Sequence, residues 1–345
     1  MTIRLCPFQS ILSSPGNKPF TIQDVARIAG VSAMTVSRAL NSPQKVAPDT
    51  LVRVRQAVAQ TNFVPNAMAS GLRRSRARLV AALLPTLVGP VFQEMIEALD
   101  RALHDQDYQL MIGQSGYDPA REDDLLRAII QRRPDGILVT GVVRSEEGRR
   151  ALRASGIPVV ETWELTATPV DMLVGFSHAQ IGTAVVDYLH QRGHRHMAMV
   201  SGDDQRALTR VKAFDERVAA LGLPKIAPAF TRPPSTMGSG RRGLSELLAR
   251  DPQVTAVFCS SDMLALGASI EAREIGLDVP GQLAIVGLGD QGVAADASPP
   301  LTTVRIDGTK IGRLAADMLV ARAEGGSVSP SVVDIGFSIV QRLST

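Results

Sequence analysis

The sequence predicts an α/β protein in two parts: a small three-helix head of helix-turn-helix layout, then a larger body of two doubly wound parallel-sheet subdomains. Three observations predict it. Residues 1–78 hold 11 Lys/Arg against two acids, Asp24 and Asp49, a net +9, while the other 267 residues hold 26 against 32, a net −6. Apolar spacing is helical up to about residue 60, and from Leu79 it becomes an alternation of strand-like runs and helical patterns. That alternation runs twice with no long linker between, which means two βα subdomains with a cleft between them. A basic module beside a mildly acidic body suits a polyanion partner; the bland alternative is a solvated basic face.

Composition excludes several classes. At 345 residues, 45% hydrophobic and 21% charged, the chain has ample core and is neither disordered nor collagen-like. No apolar run approaches the roughly 18 residues of a membrane span. Two cysteines, Cys6 and Cys259, cannot make a disulfide framework, and Met1–Pro19 is a polar tail with no secretory h-region. A cytoplasmic protein is expected.

The elements follow in order. Thr21-Ile-Gln-Asp24 fits a capping box, and Ile22, Val25, Ala26 and Ala29 share one helix face. Gly30 supplies a left-handed turn. Ser32 is placed to cap a second helix, Ala33 to Asn41, with Val36 and Leu40 inward. A third runs from about Pro48 to Gln60 on Leu51, Val54 and Val58. In a helix-turn-helix the second helix enters the DNA major groove. With Val36 and Leu40 buried, Ala33, Met34, Ser37 and Arg38 should face out. Arg38 can fork onto guanine O6 and N7, Ala33 and Met34 can lie on a thymine methyl, and the Thr35 and Ser37 hydroxyls suit phosphates. Taken alone, residues 62–78 are a basic linker.

The stretch from Thr21 to Asn41 resembles the headpiece of the lactose/galactose repressor family (LacI/GalR), and Asn62 to Leu72 resembles its hinge segment. The resemblance runs from Phe20 over nearly the whole chain. It implies DNA contacts from Thr21, Asn41, Asn66 and Ala69 as well, and a hinge helix over 65–73 that forms only on the operator, with Leu72 wedged into the minor groove. The physics agrees: two turns are too short to be stable alone, Gly71 weakens them further, and an inserted leucine kinks DNA. It further implies subdomains of periplasmic-binding-protein type.

In the body, Leu79–Leu84, Tyr108–Gly113, Gly136–Thr140 and Pro158–Glu161 read as buried strands, with Phe92, Ile96, Leu99 and Leu103 on one helix face between them. Strands near 172–176, 196–201, 255–260 and 283–288 follow, with helices near 179–191, 207–221, 239–249 and 262–275. The resemblance implies that Leu301–Ile306 returns to the first subdomain, followed by a helix near 309–324, and that Val332–Val340 is one last strand of the second. The expected boundaries are a tail to residue 19, a headpiece over 20–64, hinge and linker over 65–78, a first subdomain of 79–176 with 305–331, and a second of 177–304 with 332–345. No heptad tail follows, so a homodimer on a palindromic operator is expected.

Other motifs carry less. Gly287-Leu-Gly289-Asp-Gln-Gly292 matches a dinucleotide fingerprint, but Val293–Ser298 before Pro299-Pro300 leaves no room for the helix that would hold a pyrophosphate. His194 and His196 lack further ligands at metal spacing, and no catalytic triad is readable. Neither an enzyme, a metal nor a cofactor is expected. An export-type sugar-binding protein is the other alternative, opposed by the basic head.

Within the family the chain is similar to the gluconate-utilisation repressors, through Leu83-Leu-Pro-Thr-Leu, Asp107-Tyr-Gln-Leu-Met, Gly116-Tyr-Asp-Pro, Val174-Gly-Phe, Arg192-Gly-His-Arg-His and Asp334-Ile-Gly-Phe-Ser. This implies a sugar-acid effector of the gluconate or 2-ketogluconate type, phosphorylated or not, acting as inducer or corepressor. Family pocket positions fall on Phe92, Glu161, Trp163, Phe176, Arg210, Ser235, Ser261 and Asp262. Arg210 can clamp a carboxylate, although an interdomain salt bridge is its alternative, and Asp262 could simply cap a helix. The chain departs from the family where an acid often follows the strand at 283–288: Gly289 stands there, and Asp290 is a weak substitute.

Overall fold

The computed structural model describes residues 20–63, 77–87 and 92–345, with the side chains of Asn41 and Pro119 outside the description. The chain separates into two compact units, Met1–Ser75 and Arg76–Thr345. The expected hinge contacts Asn66, Ala69 and Leu72 lie outside the described residues.

The head holds α1 (Ile22–Ala29), α2 (Ala33–Asn41), a 3₁₀ turn at Pro43–Lys45 and α3 (Pro48–Thr61). Thr21 and Asp24 form the reciprocal capping box, and Gly30 sits left-handed at φ 65°. Ser32 Oγ caps α2 by accepting from the Thr35 amide at 3.1 Å. The core is small: Val25, Ala26, Ala29, Val36, Ala39, Val54 and Ala57. Ala33 is corrected here. It is half-buried against this core, because it lies three residues before Val36 on the same helix face.

The body begins with β1 (Leu79–Leu84), α4 (Gln93–His104), β2 (Gln109–Gln114), α5 (Pro119–Gln131), β3 (Gly136–Thr140), α6 (Glu146–Ser155), β4 (Val159–Thr162) and β5 (Met172–Gly175). It continues with α7 (His178–Gln191), β6 (Met197–Gly202), α8 (Gln205–Ala220), β7 (Ala229–Thr231), α9 (Met237–Arg250), β8 (Ala256–Cys259), α10 (Asp262–Glu274), β9 (Ala284–Gly289) and α11 (Gly292–Asp296). The last elements are β10 (Thr302–Arg305), α12 (Gly308–Ala323), β11 (Val332–Asp334) and β12 (Ser338–Val340).

Two six-stranded sheets result, ordered β11-β5-β4-β3-β1-β2 and β12-β10-β9-β8-β6-β7. All pairings are parallel except β10 with β12. The central strands are fully buried, as helices on both faces require. Strand β2 departs from the expectation: it lies at a sheet edge, and Met111 and Ile112 are exposed. Helix α12 lies on α4, where Gly312 lets the backbones meet; a Cβ there would come within 2.3 Å of the Met95 carbonyl oxygen.

Three further sequence expectations are corrected. Residues 302–305 pair with β9 in the second sheet, Thr303 opposite Gly287, so the chain crosses to the first subdomain only after Arg305. An apolar run does not state which open sheet edge it completes. Residues 332–340 are not one strand: Val332–Asp334 pairs with β5 in the first sheet and Ser338–Val340 with β10 in the second. Gly336, left-handed at φ 67°, breaks the run and lets the chain cross. Finally, the five-residue α11 does follow the Gly-rich turn at 287–292, where no helix was expected.

Candidate functional site

On α2, Met34 is 72% exposed and Arg38 is exposed, a thioether and a guanidinium one turn apart on the face turned away from the core. Ser37 is half-buried beside them. The Thr35 hydroxyl lies 2.9 Å from Ser32 Oγ, and the Thr21 hydroxyl donates to Asp24 Oδ2 at 2.8 Å. Both threonines thus serve the helix starts and keep lone pairs at the surface. An exposed cationic fork next to an exposed apolar side chain on the second helix can read guanine and thymine edges.

In the body both sheets have the 2-1-3-4-5 strand order, which places a crevice at the carboxyl ends of β1 and β3, and of β6 and β8. A cavity of about 420 Å³ opens there, lined by Pro85, Tyr117, Glu122 and Thr140 from the first subdomain and by Asp204 and Arg206 from the second. Arg144 pairs with Glu164 at 2.6 Å, and Arg206 Nε lies 3.6 Å from Asp204. The Arg206 guanidinium also reaches across to the Phe92 ring, at 5.7 Å. Burial raises the Glu122 carboxyl pKa.

Behind this mouth runs an aromatic chain. Phe92 meets Trp163 edge-on at 5.0 Å, Trp163 meets Phe176 at 5.7 Å, and Phe176 meets the His178 ring at 4.8 Å. Trp163 holds a left-handed backbone, φ 64°, that a bulky side chain rarely adopts, as at many ligand sites. His178 bridges the subdomains: one ring nitrogen, Nε2, lies 2.9 Å from the Trp163 carbonyl oxygen, the other, Nδ1, 2.7 Å from Arg210 Nη1. An arginine can only donate. Nδ1 therefore accepts and Nε2 donates, which fixes a neutral tautomer. Burial, with Arg210 beside it, holds the His178 pKa well below its usual value.

Arg210 is 5% exposed. Burial lowers its pKa to about 10, with Asp204 opposing and Arg206 adding to the shift. Among the described residues no carboxylate lies within ion-pair distance of it, and its Nε is buried without a hydrogen-bond partner. A buried cation in this state lacks a counter-anion.

Phe92, Trp163, Phe176 and Arg210 are thus brought together, and the other expected effector residues are not. Glu161 is fully buried on the other side of its sheet, its two oxygens accepting from the Val143 and Val170 amides at 2.8 and 2.7 Å. Ser261 Oγ caps α10 by accepting from Leu264 at 3.3 Å. Asp262 accepts from the Gln291 amide at 2.8 Å and from the Thr303 hydroxyl. Asp290 accepts from Arg342 at 2.6 Å and Arg305 at 3.1 Å. These carboxylates are occupied by the fold. Ser235 is half-buried in the turn before α9. Sequence reasoning missed Tyr117, Glu122, Arg144 and Arg206. The positions of Tyr117, Arg144 and Arg206 just past strand ends, Glu122 in the first turn of α5, and Arg206 one turn before Arg210 were the available signal.

Among the described residues no cluster of three or more His, Cys, Asp or Glu side chains could hold a metal ion. His194 Nδ1 instead sits 3.1 Å from the Thr255 hydroxyl. Cys259 is buried in β8, its thiol pKa pushed up by burial.

Two family models match: bacterial regulatory proteins of the lacI family over residues 21–66, and a periplasmic binding protein-like domain over residues 186–345. The HTH-type transcriptional regulator GntR of Pseudomonas aeruginosa is 36% identical over 94% of this chain and 95% of its own length. The HTH-type transcriptional regulator IdnR of Escherichia coli is 28% identical over 94% of this chain and 98% of its own. The crystal structure of a LacI-family transcriptional regulator from Silicibacter pomeroyi superposes with a TM-score of 0.89 at 31% identity, covering 94% of this chain and 99% of that one.

Proposed function

The chain belongs to the LacI family of DNA-binding transcriptional regulators, and we propose that it represses sugar-acid metabolism genes and is released from a palindromic operator by a gluconate-type ligand in the cleft. The family is one of regulators, not enzymes. The observation that carries the ligand reading is Arg210, a buried cation without a carboxylate partner, one turn along α8 from the cleft-lining Arg206 and hydrogen-bonded to His178. A carboxylate there would gain charge-assisted hydrogen bonds of about 1.5–3 kcal/mol each. Phe92, Trp163 and Phe176 supply apolar faces for a carbon chain.

On the head, Arg38 and Met34 read base edges, and Thr21, Ala33, Thr35, Ser37 and Asn41 support docking. Two copies act as a dimer in the cytoplasm, for which the exposed Met111 and Ile112 of β2 offer apolar surface. The mechanism is a population shift: the ligand favours a subdomain arrangement that binds the operator less tightly, and operator affinity falls.

A gel shift of the purified chain on its own promoter DNA, with and without gluconate, tests the proposal. Retardation that gluconate reverses is the expected result. No retardation on any DNA contradicts the repressor reading. Retardation indifferent to gluconate, 2-ketogluconate and their 6-phosphates contradicts the effector alone, and strengthened retardation would make the ligand a corepressor.

A further inference from the structure

A second buried side chain carries polar atoms without a partner, and it is uncharged. Gln291 is 9% exposed, yet neither its Nε2 nor its Oε1 finds a hydrogen-bond partner among the described residues. Its backbone is held firmly: the amide donates to Asp262 Oδ2 at 2.8 Å, and the residue opens α11. Gln291 contributes to the wall of a cavity of about 220 Å³, separate from the mouth, whose other walls include, from the opposite subdomain, Gln93, Glu94, Glu97 and Trp163.

Buried polar atoms in folded proteins are almost always paired, and the exceptions call for a reason. A carboxamide sets a donor and an acceptor side by side, the complement of a hydroxyl group. The neighbouring backbone supports a specific arrangement. Gly289 has φ 133°, and a Cβ there would stand 3.2 Å from Gln291 Nε2 and 3.3 Å from Asp262 Oδ2. The glycine where the resemblance leads one to expect an acid, and the amide two residues on, are therefore one arrangement. Asp290, between them, is turned away to Arg305 and Arg342.

We infer that Gln291 is a ligand-reading residue: its side-chain amide, in the wall of the cavity that Trp163 also lines, hydrogen-bonds hydroxyl groups of the molecule the cleft binds. This rests on the cleft being the ligand site. It assigns the hydroxyl-bearing part of the ligand to Gln291 and the anionic part to Arg210.

Trp163 is the chain's single tryptophan, so its emission reports occupancy without DNA. D-gluconate and the hydroxyl-free carboxylate pentanoate are titrated into wild type and Gln291→Leu, and the ligand-free Tm of each is measured. The variant is expected to weaken gluconate about tenfold or more while leaving pentanoate within about twofold, because an unmet hydroxyl is what a polar site discriminates. Its ligand-free Tm should be unchanged or raised, since no hydrogen bond is lost. If the branched side chain lowers Tm, the unbranched Gln291→Met repeats the comparison. Unchanged gluconate affinity, or equal losses for both acids, overturns the inference and leaves the sugar-acid reading standing. If wild type binds no sugar acid, that reading fails on its own. D-glucose and D-ribose then replace gluconate: a loss confined to the variant supports Gln291, and no binding or no loss overturns it.

Discussion

In the head, seven small buried apolar side chains leave Met34 and Arg38 at the surface, whereas in the body the polar side chains of His178, Arg210 and Gln291 are themselves buried. The difference follows from what each part meets. A DNA groove brings its own polar edges to a protruding helix, so the head needs only a stable core and an exposed face. A small ligand has to be surrounded, so the body carries unpaired polar atoms inside a fold large enough to tolerate them. The head spends little stability on function. The body stores function as buried polar groups that the fold itself does not satisfy.

The largest expected break of this contrast is Arg210→Met. Removing one partner of a buried charge pair costs about 2–5 kcal/mol, so calorimetry should find sugar-acid affinity reduced at least about thirtyfold. Operator affinity without ligand should stay unchanged. A variant equally weakened on DNA would show that Arg210 supports the head's function as well.

Arg38→Ala is the mirror experiment. It should cost about 1–3 kcal/mol on the specific operator and much less on random DNA, with ligand affinity untouched. Fluorescence anisotropy on the two DNAs measures this, and equal losses would make Arg38 a phosphate contact.

The smallest effect concerns pH. His178 is held neutral, with burial keeping its folded pKa well below the ordinary histidine value of about 6.5. The unfolded chain therefore takes up the proton first, and this contribution to stability is present above about pH 6.5 and is lost as pH falls below it. Glu161 and Asp262, whose pKa values burial raises, act in the opposite sense at lower pH. The informative quantity is therefore the difference between wild type and His178→Gln. Wild-type Tm should drop more between pH 7 and 5.5 than that of the variant; parallel curves would mean that His178 titrates normally.

Much of the fold was legible because its signals are local. The Thr21-Asp24 box, Gly30 and the spacing of Val25, Ala29, Val36 and Val54 determine the head with neighbours in sequence. The βα alternation of the body was equally readable. What failed was the non-local part: which sheet edge Thr302–Arg305 completes, and that Gly336 splits residues 332–340 between two sheets. The same limit governed the cleft. Arg210 and the aromatic residues, named by resemblance, lie together, whereas Glu161, Asp262 and Asp290 bond the fold's own amides and arginines, since a carboxylate in a sequence does not show which of these will occupy it. Gln291 gave no signal at all. Its meaning comes from what surrounds it.

The central claim is that ligand in the body and operator on the head bias one equilibrium in opposite directions. The direct test is a closed thermodynamic cycle: operator Kd with and without saturating gluconate, and gluconate Kd with and without saturating operator. Linkage requires the two ratios to be equal, and both affinities should weaken by the same factor, on the order of 5–150-fold. Ratios of one on both arms would contradict the account, because the cleft and the reading helix would then be independent sites on one chain.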